Sequence, residues 1–138
     1  MGEGLILTNN PLAVGQADEM EGHWAVRTVE GVGLAVVLEA ALELVQAGWR
    51  LVSAPLPPNV PLIRAPYRSL ILEKGRGRYD AEGIKMLEKA REKLQSLGSS
   101  ALSGRVARDA AFIDRQLLLK AIQEVRALRL PDDARRKI

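Results

Sequence analysis

WAVRTVEGVGLAVVLEAALELVQAGWRLVS, residues 24–53, is the stretch that decides the fold class. Trp24 to Glu30 alternates apolar and polar side chains, the pattern of a half-buried strand. Gly31-Val32-Gly33 then turns the chain into a helix over Leu34 to Ala47. In that helix Leu34, Val37, Leu38, Ala41, Leu42 and Val45 recur at helical spacing, with Glu39, Glu43 and Gln46 opposite and Gly48 as the stop. Trp49 to Ser53 reads as the next strand. A strand, helix, strand unit of this kind is nearly always a right-handed crossover between parallel strands.

Leu5 to Thr8, upstream of that unit, is a buried strand, ended by Asn9-Asn10-Pro11, where asparagine side chains bond nearby backbone and proline cannot continue a ladder. Downstream, prolines 55, 57, 58, 61 and 66 exclude regular helix or interior strand between Ser53 and Pro66, so the chain there runs extended over the surface. Arg68 to Glu73 is a further strand, and Lys74 to Arg78 a basic turn before a helix capped by Asp80. That helix carries Ile84, Leu87, Ala90, Leu94 and Leu97 on one stripe. After a Gly/Ser-rich loop, Gly98 to Gly104, a last helix is expected from about Asp109 to Leu128, with Ile113, Leu117, Ala121, Ile122 and Val125 facing the core. The expectation is a three-layer α/β fold over residues 1–138 as a single domain, with a small, mainly parallel sheet of about four strands and three helices. The Leu34–Ala47 helix should cover one side and the two C-terminal helices should pack elsewhere on the sheet.

Composition narrows the functions. The chain has 138 residues, 47% of them hydrophobic, enough for one core. Its longest apolar run, Val32 to Leu42, is broken by Glu39 and is well short of the roughly 20 residues a membrane span needs. No lysine-led apolar leader opens the sequence, so a cytoplasmic, membrane-free protein is expected. With no cysteine, thiol catalysis, disulfides and Cys-ligated metals are excluded, and the lone His23 argues against a histidine-based metal site within one chain. Residues 1–50 hold two basic and seven acidic side chains, and residues 51–138 hold eighteen and ten. Many of the basic residues alternate with acids, as in Glu88-Lys89-Ala90-Arg91-Glu92-Lys93, which is a solvated helix face. Stacking aromatics are scarce, which argues against nucleic acid.

No constellation carries catalysis. Gly31-Val32-Gly33 lacks the third glycine of a dinucleotide fingerprint, because Val36 stands in its place. No Walker loop, nucleophile elbow or acidic cluster occurs, so no catalytic residue, metal or cofactor is assigned. The candidates for ligand or partner contact sit at strand ends: Thr8, Asn9, Asn10, Ser53, Pro55, Arg64, Pro66, Tyr67 and Arg68. Amides at a strand's carboxyl end hydrogen-bond a carboxylate or phosphate, or simply form the turn; both readings stand. The P-x-x-P spacings at 55–58 and 58–61 are either a partner's grip or a rigid crossover.

Two segments together, Leu7-Thr8-Asn9-Asn10-Pro11 and Gly48-Trp49-Arg50-Leu51-Val52-Ser53-Ala54-Pro55-Leu56 leading to Ala65-Pro66-Tyr67-Arg68-Ser69, resemble the GrdX family. Val29-Glu30-Gly31 and Phe112-Ile113-Asp114 extend the resemblance in order and spacing over most of the chain. The family pattern has a histidine where Ala54 stands and a serine where Pro57 stands, so a role that needs that histidine is not carried over. The resemblance implies a small accessory of the glycine, sarcosine and betaine reductase systems of anaerobic bacteria, with a reductase component as partner. Those reductases use selenocysteine, cysteine and a carbonyl group, none of which this chain has. The resemblance thus leads to a non-catalytic assembly, chaperone or regulatory protein. The alternative is a carboxylate- or phosphate-binding protein or enzyme, with Asn9, Asn10 and Ser53 as donors and Arg64 or Arg68 as the anion clamp. Self-association into a homo-oligomer through an uncovered strand edge or an apolar helix surface is a third reading.

Overall fold

The computed structural model describes residues 4–13, 24–57, 66–75, 79–97 and 104–128. Its strands are β1 (Gly4–Thr8), β2 (Trp24–Thr28), β3 (Trp49–Leu51) and β4 (Ser69–Lys74). Its α-helices are α1 (Leu34–Gln46), α2 (Ala81–Leu97) and α3 (Gly104–Leu128), and a 3-10 turn covers Pro11–Ala13. The strands form one sheet in the order β2-β1-β4-β3.

β1 and β4 occupy the centre, and their sequences show why. All five residues of β1 and the first four of β4 are buried, so Leu5-Ile6-Leu7 and Leu70-Ile71-Leu72 are apolar without alternation, as strands covered on both faces must be. Side chains on a strand alternate between faces. Leu5, Leu7, Leu70 and Leu72 point to one core with Val37, Leu38, Ala41 and Val45 of α1 and Leu87 and Ala90 of α2. Ile6 and Ile71 point to a second core with Ala13 and with Leu118, Ile122 and Val125 of α3. The architecture is therefore three layers, α1 and α2 on one face and α3 on the other. The second helix packs beside α1, not on a face of its own.

The sheet is mixed. β1 pairs with β2 in parallel, whereas β4 pairs antiparallel with both β1 and β3. The strand, helix, strand unit of residues 24–53 does hold two strands of the same direction, but it sets them at opposite edges with β1 and β4 between them. Parallel neighbours need a long crossover, usually a helix. The connection from β3 to β4 is the proline segment, which contributes no helix among its described residues, and it returns the chain antiparallel. Just past β3 the backbone N–H groups of Val52 and Ser53 both reach Ile71 O, at 2.9 and 3.3 Å. Two residues there face one, which is a bulge that ends the strand earlier than its sequence suggests.

Gly48, with φ 112°, ends α1 in a conformation open to glycine. Asp80 caps α2: its Oδ1 accepts the Gly83 N–H at 3.0 Å and its Oδ2 accepts the Leu51 N–H at 2.9 Å, tying the helix start to β3. α3 begins at Gly104, five residues before the expected start, and its buried stripe is Ala111, Asp114, Leu118, Ile122 and Val125. Ile113 is exposed and Leu117 and Ala121 are half-buried. Ile122 and Val125 of the expected stripe are in the core, whereas Ile113, Leu117 and Ala121 give way to Ala111, Asp114 and Leu118, a row that contains an acid. The basic turn at Arg76 to Arg78 and the tail beyond Leu128 lie outside the described residues.

Candidate functional site

The carboxyl ends of β1 and β2 and the amino end of β4 meet at one edge of the sheet, and face alternation decides what each residue there touches. Asn9 and Arg68 continue the β1/β4 ladder: Asn9 N–H donates to Arg68 O at 3.4 Å, and Arg68 N–H donates to Asn9 Oδ1 at 2.9 Å. They share the parity of Leu7 and Leu70 and point to the α1 face. Thr8, Asn10 and Ser69 share that of Ile6 and Ile71 and point to the α3 face. The two adjacent asparagines therefore serve opposite layers.

On the α1 face, Asn9 Nδ2 donates to the carbonyls of Pro66 at 2.8 Å, Gly33 at 3.1 Å and Gly31 at 3.2 Å. One amide thereby fastens the Gly31-Val32-Gly33 turn to the end of the proline segment, and Gly33 N–H returns a bond to Pro66 O at 2.8 Å. Gly31 and Gly33 take φ 119° and 101°, which explains the glycines without a nucleotide: their backbone carbonyls must face Asn9.

On the α3 face, Asn10 Nδ2 donates to Ala111 O at 2.8 Å and to Asp114 Oδ2 at 2.9 Å, and Asn10 Oδ1 accepts the Leu12 N–H at 3.0 Å. Asp114 also accepts the Ser69 N–H at 2.9 Å and the Ser69 hydroxyl at 2.6 Å. With its proton committed to Asp114, Ser69 Oγ receives the Thr8 hydroxyl at 2.7 Å, while Thr8 Oγ1 accepts the Asn10 N–H at 2.9 Å. The bonds close into a loop through β1, β4 and α3. Thr8, Asn10, Ser69 and Asp114 are all buried. Such a fully connected buried network fixes one arrangement of its elements, since each unmade bond is costly. Ser69 is a strut in it, shut off from solvent, with its hydroxyl proton held by the Asp114 carboxylate.

Arg68 is buried as well, 7% exposed, and donates through Nε to Pro55 O at 3.2 Å and through Nη2 to Ala54 O at 2.6 Å. Burial pulls its guanidinium below the ordinary arginine range, and the negative charge of Asp114 works in the opposite direction. Ser53 Oγ accepts the Ile71 N–H at 2.8 Å. Pro55, Pro57 and Pro66 are buried and Tyr67 is half-buried, so these three prolines of the segment pack inward. Arg64, Pro58, Pro61 and His23 lie outside the described residues.

Eight of the nine contact candidates thus gather at one edge; the exception, Arg64, is not described. Asp114 was missed. Its signal was present: an acid at the spacing of Ala111, Leu118 and Ile122 on an amphipathic helix breaks an otherwise apolar row, which is unusual unless a polar partner faces it. Away from the edge, a shallow depression of about 360 Å³ lies along α2, bordered by Tyr79, Ile84, Lys85, Glu88, Lys89 and Glu92. Among the described residues no group of three His, Cys, Asp or Glu side chains is placed to hold a metal ion, and no helix is long and apolar enough to cross a membrane.

Comparison with curated proteins and with solved structures finds no match. A family model does match, that of the GrdX-like protein, over residues 5–123, a span that contains β1 from Leu5 onward, the proline segment, β4 and Asp114. With every residue of the hydrogen-bonded edge inside that match, the chain belongs to the GrdX-like protein family.

Proposed function

We propose that this protein is a non-catalytic accessory, acting in assembly, as a chaperone or in regulation, of a glycine/betaine-type reductase system in the cytoplasm. It would bind a reductase component through the edge formed by Asn9, Asn10 and the Ser53–Ser69 segment. One observation carries the reading: the amides and hydroxyls at that edge are spent on the protein itself. Every polar side-chain atom of Asn9 and Asn10 has a protein partner, as do the hydroxyls of Thr8, Ser53 and Ser69. Groups so engaged shape a rigid surface, and turning them over to a reacting substrate would mean dismantling the network. The family supplies the reductase setting.

What the edge offers a partner is shape with apolar points: Val32, 74% exposed, on the turn that Asn9 holds, and Leu12, 47% exposed, on the turn that Asn10 holds. The test uses purified reductase components and the immobilised protein, with Val32→Asp and Leu12→Asp as contact variants. Retention of one component by the wild type and its loss in either variant, at unchanged melting temperature, supports the reading. Failure of every component to bind the wild type refutes it.

A further inference from the structure

We propose that the unspent end of the Arg68 guanidinium is a binding site for a carboxylate at the surface of the strand-end edge. The reasoning starts from donor counting. A guanidinium carries five N–H groups in a plane. In Arg68 the edge formed by Nε and Nη2 is committed to the carbonyls of Pro55 and Ala54. That leaves three N–H groups, both of Nη1 and the second of Nη2, with no partner among the described residues, and one from each nitrogen makes up the end-on fork. Among the described side chains Arg115 Nε alone is both fully buried and unpaired, so Nη1 of Arg68 reaches solvent even though the residue as a whole is 7% exposed.

The charge balance points the same way. The acid whose field acts on Arg68 is Asp114, and no ion-pair contact joins the two. Face alternation explains this: Asp114 bonds the backbone and hydroxyl of Ser69 from the α3 face, while Arg68 projects to the α1 face. The Asp114 oxygens are occupied by Ser69 and Asn10. Arg68 is therefore a largely buried cation held in fixed orientation by two carbonyls, with its remaining donors uncommitted among the described residues. A planar, two-oxygen anion fits such a fork with two parallel charge-assisted bonds. Pre-orientation by Pro55 and Ala54 lowers the entropy lost on binding. A small acid and a protein chain's carboxyl group present the same two oxygens; the proposal holds for either and does not depend on the accessory reading.

The test is a titration of the whole protein with sodium acetate against sodium chloride at matched ionic strength, following the Arg68 side-chain N–H and the Leu56 and Ser69 amide resonances. A saturable acetate response, weakened at least about tenfold in Arg68→Lys, is expected, because lysine keeps charge but loses the fork. Absence of a saturable response at acetate concentrations on the order of 0.1 M overturns the proposal, as does equal or tighter binding of inorganic phosphate. Should Arg68→Lys fail to fold, the wild-type Arg68 resonance still decides. A short peptide with a free carboxyl terminus, compared with its amide, separates the sources. Tighter binding than acetate, lost on amidation, assigns the site to a partner chain, and binding no tighter than acetate assigns it to a small acid.

Discussion

Replacing Asp114 by alanine tests the network at its most connected point. The side chain is 4% exposed and accepts from the Ser69 N–H, the Ser69 hydroxyl and Asn10 Nδ2. Alanine leaves these three donors without their acceptor, each at about 1–3 kcal/mol. Relief comes from the freely rotating Ser69 hydroxyl and from water entering the emptied space. Loss of the negative charge that offsets buried Arg68 adds to the damage. The expected net cost is about 3–5 kcal/mol. For a chain of this length that is a fall in melting temperature of about 10–15 °C. Urea unfolding monitored by circular dichroism reads it as a midpoint lowered by at least about 1 M with little change in slope. Asp114→Asn, which keeps the volume but confronts Asn10 Nδ2 with another N–H donor, should recover only part. A cost below about 1 kcal/mol for Asp114→Ala, the size of an ordinary surface change, would refute the reasoning, because the three bonds would then hold nothing.

Other substitutions probe the remaining supports, each by the same unfolding measurement. Gly31→Ala should cost more than Gly33→Ala: both have positive φ, but a Cβ on Gly31 would lie 2.9 Å from Val36 Cγ1 whereas one on Gly33 meets nothing within 4 Å. Strain alone sets Gly33→Ala at about 1–3 kcal/mol, so equal costs would show that the Val36 contact yields freely. Asp80→Ala should cost about 1–2 kcal/mol through the lost cap on α2, and hydrogen exchange at the Leu51 amide should quicken as its acceptor disappears. Leu70→Ala, in the fully buried centre of β4, should cost about 2–5 kcal/mol. Asn10→Ala should lower the melting temperature more than Ser53→Ala, since Asn10 joins the Pro11–Ala13 turn to α3 while Ser53 accepts one backbone bond.

Much of the fold was legible because periodicity reports burial directly. The α1 row and the uninterrupted apolar centres of β1 and β4 each give one reading, and the structure has those elements. Strand direction was harder. The apolar pattern of β4 is the same whether its neighbours run with it or against it, and only the absence of a helix from the described β3-to-β4 connection speaks for reversal. At the edge, Asn9 and Asn10 could be singled out from residue type and position. Their division between the two layers follows from strand alternation, but their partners do not: Pro66 is 57 positions from Asn9, and Asp114 is 104 from Asn10. Long-range polar pairing leaves no periodic trace, and the one local clue, an acid in the apolar row of α3, was hidden by the neighbouring Phe112 and Ile113, which look like core and are exposed.

The pairing of Asn9 with one layer and Asn10 with the other has a consequence for how the edge works. A displacement of the Gly31-Val32-Gly33 turn would act through Asn9 on Pro66 and on the Arg68 backbone. Arg68 in turn holds Ala54 and Pro55, and its neighbour Ser69 is held by Asp114 on α3. The turn, the described ends of the proline segment and the α3 layer are therefore joined by hydrogen bonds through the consecutive residues Arg68 and Ser69. A surface built this way pays its ordering entropy on folding instead of on binding, which favours recognition of a fixed shape. The same continuity predicts that Asn9→Ala, by freeing the Gly31-Val32-Gly33 turn, weakens capture of a partner through Val32 beyond what its loss of folded protein accounts for. Capture per folded molecule, corrected by the unfolding curve, is the quantity to measure. If it equals that of the wild type, Asn9 supports the fold and has no part in presenting the turn.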